Sequence, residues 1–104
     1  MHKYLIQILL PLRDNAGKRQ KKALLAAVAQ ELTDRFGGLT AYTRAPAKGL
    51  WKQKNSQVDQ DEIVIYEVMA DKLHLSWWRR YRPRLESRFK QKEILVRAEK
   101  IRTL

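Results

Sequence analysis

Three observations predict an α+β sandwich built in the order β-α-β-β-α-β. Residues 3–10 and 61–69 alternate with a period of two along mostly apolar runs. Residues 18–36 switch to a helical period, with Leu25, Val28, Leu32 and Phe36 spaced by 3, 4 and 4. A second helical pattern, Trp78, Tyr81, Leu85 and Phe89, precedes a last alternating segment at 93–102. At 104 residues the chain has room for one hydrophobic core, hence a single domain over 1–104.

In the first strand Tyr4, Ile6, Ile8 and Leu10 point one way, and Leu5, Gln7 and Leu9 the other. Pro11 cannot donate to a ladder and ends it. Arg13 to Gly17 form a polar loop. A helix then runs over 18–36, its propensity raised by Ala23, Ala26, Ala27 and Ala29, and Gly37 supplies the left-handed residue that closes it. Leu39 to Arg44 is a strand rich in Thr and Tyr, broken by Ala45-Pro46-Ala47-Lys48-Gly49 and resumed at Leu50-Trp51-Lys52. Gln53 to Gln60 is uniformly polar and reads as a hairpin connection. In the strand over 61–69, Ile63, Ile65, Glu67 and Met69 oppose Val64, Tyr66 and Val68. Asp71 or Ser76 caps a second helix that ends near Gln91, with Pro83 expected to kink it or loosen its first turn. Right-handed crossovers on this order give a ferredoxin-like sandwich, with strand order 4-1-3-2 and both helices on one face.

Composition excludes several functions. No cysteine is present, so disulfide scaffolds and thiolate metal sites are excluded. His2 and His74 lack a further ligand at metal spacing, so neither a metal nor another cofactor is expected. His74 reads as a surface residue at the start of the second helix. The longest apolar stretch, Tyr4 to Leu10, is far below the roughly 20 residues of a membrane span, and no small-residue cleavage site follows it. A cytoplasmic protein is expected. The four glycines are too scattered for a phosphate-loop fingerprint, and Ser56, Ser76 and Ser87 lack a nucleophile-elbow context. The aromatic platform of the RNA-recognition motif is missing from Ile63-Val64-Ile65-Tyr66-Glu67-Val68.

The net charge of +11 favours polyanionic partners. Two basic clusters stand out: Lys18, Arg19, Lys21 and Lys22, and then Arg79, Arg80, Arg82 and Arg84. Both read either as solvated helix faces or as a nucleic-acid surface that binds weakly and without sequence preference. Trp77 and Trp78 are adjacent, so both cannot face the sheet. One of them is expected to be exposed or to meet a partner.

The sheet face away from the helices is the candidate site. It is expected to show Leu5, Gln7, Leu9, Ile63, Ile65, Glu67, Met69, Leu95, Arg97 and Glu99, with Tyr42 and Arg44 from the outer strand. Gln7 is expected between Glu67 and Arg97. One reading is a pocket in which Arg44 and Arg97 clamp an anion over an apolar floor walled by Trp51. The other is a subunit interface in which Glu67 and Arg97 pair, making a homodimer. A cofactor-independent enzyme is a third reading, with Glu67 as its general base.

Three stretches carry a resemblance: Arg35-Phe36-Gly37-Gly38-Leu39-Thr40, Gly49-Leu50-Trp51-Lys52 and Arg88-Phe89-Lys90-Gln91-Lys92-Glu93-Ile94-Leu95-Val96-Arg97. Through them most of the chain resembles a group of small bacterial proteins of unknown function, although Leu50 stands where that group has Gln. The resemblance implies a ferredoxin-like sandwich, often paired as a dimer. It implies no activity, and no catalytic residue is carried over from it.

Overall fold

The computed structural model describes residues 2–42 and 63–104. The elements are β1 (His2–Pro11), α1 (Lys22–Phe36), β2 (Thr40–Tyr42), β3 (Ile63–Ala70), α2 (Leu75–Arg88) and β4 (Val96–Arg102). All strand pairings are antiparallel, in the order β2-β3-β1-β4. This is the expected α+β sandwich of ferredoxin-like order. The parts expected at Arg44 to Asp61, including the break at Pro46, the resumed strand at Trp51 and the polar hairpin, lie outside the described residues.

The period of two divides the sheet into two faces. Ile6, Ile8 and Leu10 of β1 and Val64, Tyr66 and Val68 of β3 are buried beneath the helices, against Val28, Leu32, Trp78, Tyr81, Leu85, Phe89 and Ile94. Burying each such aliphatic side chain stabilises the fold by about 1.5–3 kcal/mol before the entropy of ordering it is counted. The alternate residues of both strands lie on the other face, where no described element covers them.

Several boundaries differ from the sequence reading, among them the end of the second helix at Arg88 rather than near Gln91. The first helix starts at Lys22 rather than Lys18. The Asp14 carboxylate accepts from the backbone N–H groups of Ala16 and Lys18, and the Gln20 N–H donates to the Leu12 carbonyl, so 12–20 fold as a tight loop. At the second helix neither Asp71 nor Ser76 is the cap; that position belongs to His74, whose side chain makes no capping bond. The last strand begins at Val96, because Ile94 turns into the core and its N–H is taken by the Glu86 carboxylate at 2.9 Å.

Both helix ends use left-handed backbone. Gly37 (φ 80°) donates its N–H to the Thr33 carbonyl, as expected of a closing glycine. Lys90 (φ 52°) does the same for α2, where the Gln91 N–H reaches the Glu86 carbonyl. Between its ends α2 is continuous through Pro83, which lies on the exposed side nine residues in, well past the first turn.

The paired tryptophans divide their roles. Trp78 is buried and stacks on Phe36, with ring centroids 5.6 Å apart. Trp77 is half-buried, stacks on Tyr81 at 4.5 Å and carries the Arg35 guanidinium 4.2 Å above its ring.

Candidate functional site on the open face of the sheet

Antiparallel register decides what meets what on the open face. Gln7 stands opposite Glu67 on one side and Arg97 on the other. All three project from the same side of the sheet, and short bonds join them. Arg97 donates Nε–H to Gln7 Oε1 at 2.8 Å, and Gln7 donates Nε2–H to Glu67 Oε1 at 2.8 Å. The Tyr42 hydroxyl donates to Glu67 Oε2 at 3.1 Å. A single hydrogen-bonded row therefore crosses all four strands, with one residue from each.

The donors fix the direction of this row. A guanidinium has no lone pair to offer, so Gln7 must turn its carbonyl to Arg97 and its amide nitrogen to Glu67. Glu67 then accepts on both oxygens. The same carboxylate pushes the Tyr42 phenol above the ordinary tyrosine range, because losing the proton would set two negative groups against each other. The row thus runs from a cation at β4 to an anion at β3.

Apolar side chains flank the row on both sides. Leu9 and Ile65 face each other on one side, and Leu5 and Met69 on the other. Leu5, Leu9, Ile63 and Ile65 are half-buried, while Met69 and Leu95 keep 44% and 51% of their surface exposed. A hollow of about 350 Å³ opens beside the row, lined by Leu5, Gln7, Arg97, Ala98 and Glu99.

Gln7, Tyr42, Glu67 and Arg97 are therefore brought together. Arg44 and Trp51, the second arm and the wall of the expected clamp, lie outside the described residues. Within the chain Glu67 and Arg97 are joined through Gln7, which stands between them as expected. Among the described residues no cluster of His, Asp and Glu is arranged to hold a metal.

The basic clusters occupy different places. Lys18, Arg19, Lys21 and Lys22 are exposed on the loop and first turn leading into α1. That loop is tied to the end of α2 by Gln20 Nε2–H, which donates to the Phe89 carbonyl at 2.6 Å. Arg79, Arg80, Arg82 and Arg84 are exposed along α2 itself, spread around its outer arc at about 100° per residue. Arg79 is about 15 Å along the helix axis from Phe89. No described helix is long and apolar enough to cross a membrane.

Sequence reasoning missed one polar cluster, on the other side of the molecule. Glu31 of α1 accepts from Arg88 through both oxygens and from the Tyr81 hydroxyl at 2.8 Å. Seven residues separate Tyr81 from Arg88, about two turns, which sets both on one face of α2. That spacing was the available signal. The cluster pins the helices together rather than forming a reactive centre.

No family model, curated protein or solved structure matches this chain, so the chemistry of the site rests on its own geometry.

Proposed function

We propose that this chain is a cytoplasmic binding module that works as a homodimer, two copies meeting over their open sheet faces around a small anionic or aromatic ligand. The observation that supports it is the row Arg97–Gln7–Glu67–Tyr42 framed by half-buried Leu5, Leu9, Ile63 and Ile65 and exposed Met69 and Leu95. An apolar face this broad gains from being covered. Related by a two-fold axis, two copies present the same patch to each other, and the directional row sets which end meets which. Four of the six apolar side chains are already half-buried, so each adds less than the full 1.5–3 kcal/mol on pairing. Binding is favoured over catalysis because Glu67, the residue with general-base chemistry, has both oxygens engaged by donors.

Sedimentation at micromolar concentration tests the reading. The expected result is a dimer of the 12.3 kDa chain that Ile65→Lys breaks or unfolds, since pairing would bury an unpartnered ammonium. A monomer whose stability Ile65→Lys leaves unchanged would refute both the dimer and the choice of face.

A further inference from the structure

A separate cleft lies at the end of the sheet where β1 begins and β3 finishes. Its volume is about 570 Å³, and Lys3, Arg35, Phe36, Asp71, Lys72 and His74 line it. We propose that this cleft binds a phosphomonoester, a small ligand ending in a phosphate group. The cleft itself contains no residue of the open-face row.

Charge is the first argument. Lys3, Arg35 and Lys72 set three cations against the one carboxylate of Asp71, leaving two positive charges in excess. A phosphomonoester carries about −1.5 to −2 at neutral pH, which matches that excess. Asp71 is bonded to Lys3 at 3.1 Å, but its side chain is 77% exposed, and a pair so open to water is held by at most about 1 kcal/mol. Lys3 can exchange that carboxylate for a phosphate oxygen at little cost.

Preorganisation is the second. The Arg35 guanidinium carbon lies 4.2 Å from the centre of the Trp77 ring, a cation–π contact that restricts where the side chain sits. Its N–H donors lie in the guanidinium plane and take no acceptor among the described residues. A planar fork with free edge donors is the geometry that grips phosphate at two points.

Space for the rest of the ligand is the third. A second hollow of about 330 Å³ shares Lys3, Phe36 and Met69 with the cleft, continues past Gly37, Gly38, Leu39 and Thr40, and reaches Leu5 and Glu67, the latter at the anionic end of the open-face row. A Cβ at Gly37 or Gly38 would meet nothing within 4 Å, so the space beside both is open. Together the two hollows offer a cationic head and a more apolar body, within the size range of small-molecule sites. The Arg35-Phe36-Gly37-Gly38 stretch gains a role from this: it joins the head to the body.

The test is a backbone-amide NMR titration of the full chain with inorganic phosphate and with AMP at constant ionic strength, using adenosine as the uncharged control. Saturable shifts are expected at Lys3, Arg35, Lys72 and His74 with phosphate and AMP, reaching residues 37–40 with AMP only. Arg35→Gln and Lys72→Gln are each expected to weaken binding about tenfold or more. The double change Arg79→Gln with Arg80→Gln, outside the cleft, should alter it by less than about twofold. Lys72 is exposed, so its variant reports on binding even if loss of Arg35 loosens Trp77. No saturable shift at about 10 mM phosphate or AMP, or equal weakening by the Arg79 and Arg80 changes, overturns the proposal. An oligonucleotide without a terminal phosphate separates the sources: if it perturbs the cleft and inorganic phosphate does not, the site reads a diester backbone and the proposal fails.

Discussion

Arg88 on α2 grips Glu31 on α1 at two points, Nη1 to Oε1 at 2.8 Å and Nη2 to Oε2 at 3.0 Å. Those bonds, joined by the Tyr81 hydroxyl, hold the Glu31 carboxyl below the ordinary glutamate range, against the opposing effect of burial. Burial and the same carboxylate push the Tyr81 phenol far above its usual range. A carboxyl group depressed in the folded state stabilises that state fully above its unfolded value, about 4.3, and loses the contribution as pH falls through its folded value. Glu31→Gln should therefore cost about 1 kcal/mol at pH 7, a figure kept small because the Glu31 side chain is 40% exposed. Urea denaturation from pH 7 to pH 3 should show the gap between wild type and variant closing in acid. A gap that stays constant with pH would mean that the grip contributes packing and no charge.

The direction of the open-face row yields a sharper result. Gln7→Glu sets a carboxylate against Glu67 across a bond of 2.8 Å, while leaving Arg97 satisfied. The variant should lose about 1–3 kcal/mol at pH 7, or roughly 4–20 °C in Tm for a chain of this size. Much of the loss should return in acid, where a proton shared between the two carboxyls removes their repulsion. Gln7→Leu, which leaves the Glu67 carboxylate short of one donor, should show no such recovery.

Pro83 lies on the exposed side of α2, within a helix that continues through it. The ring removes a backbone N–H and with it the bond to the Arg79 carbonyl. Pro83→Ala restores that donor, and thermal melts should place the variant's midpoint above wild type by several degrees. A lower midpoint would mean that the ring fixes the course of α2 over the core.

The eight exposed residues of the two basic clusters give a prediction about salt. Filter binding of single-stranded DNA should be detectable at low ionic strength and fade steeply towards physiological salt, with no preference for sequence. Removing Arg79, Arg80, Arg82 and Arg84 together should flatten that salt slope. Binding that persists at high salt would instead point to a dedicated nucleic-acid interface.

The sheet and its row were legible in the sequence because a period of two is a strict rule. Gln7, Glu67 and Arg97 fall on the same side of their strands, and the element order alone places β1 between β3 and β4. The start of α1 was not legible. Lys18 to Lys21 suit a helix locally, but Asp14 and the distant Phe89 carbonyl claim their neighbourhood first. The closing residue of α2 was hidden for a similar reason, since Lys90 takes a left-handed backbone that composition assigns to glycine. The phosphate cleft draws Lys3, Arg35 and Lys72 from three separate parts of the chain, and no local spacing relates them.

β4 forms one margin of the sheet, with β1 on its inner side and no described strand beyond it. A bare margin of this kind is a template on which further chains can add, strand by strand, into fibres. Arg97, Glu99, Lys100 and Arg102 crowd charges of both signs along its seven residues, and all four are exposed. Any incoming strand must strip water from that row before a backbone bond forms. Charges placed in this way along a bare margin are a device that opposes strand-by-strand growth into fibres.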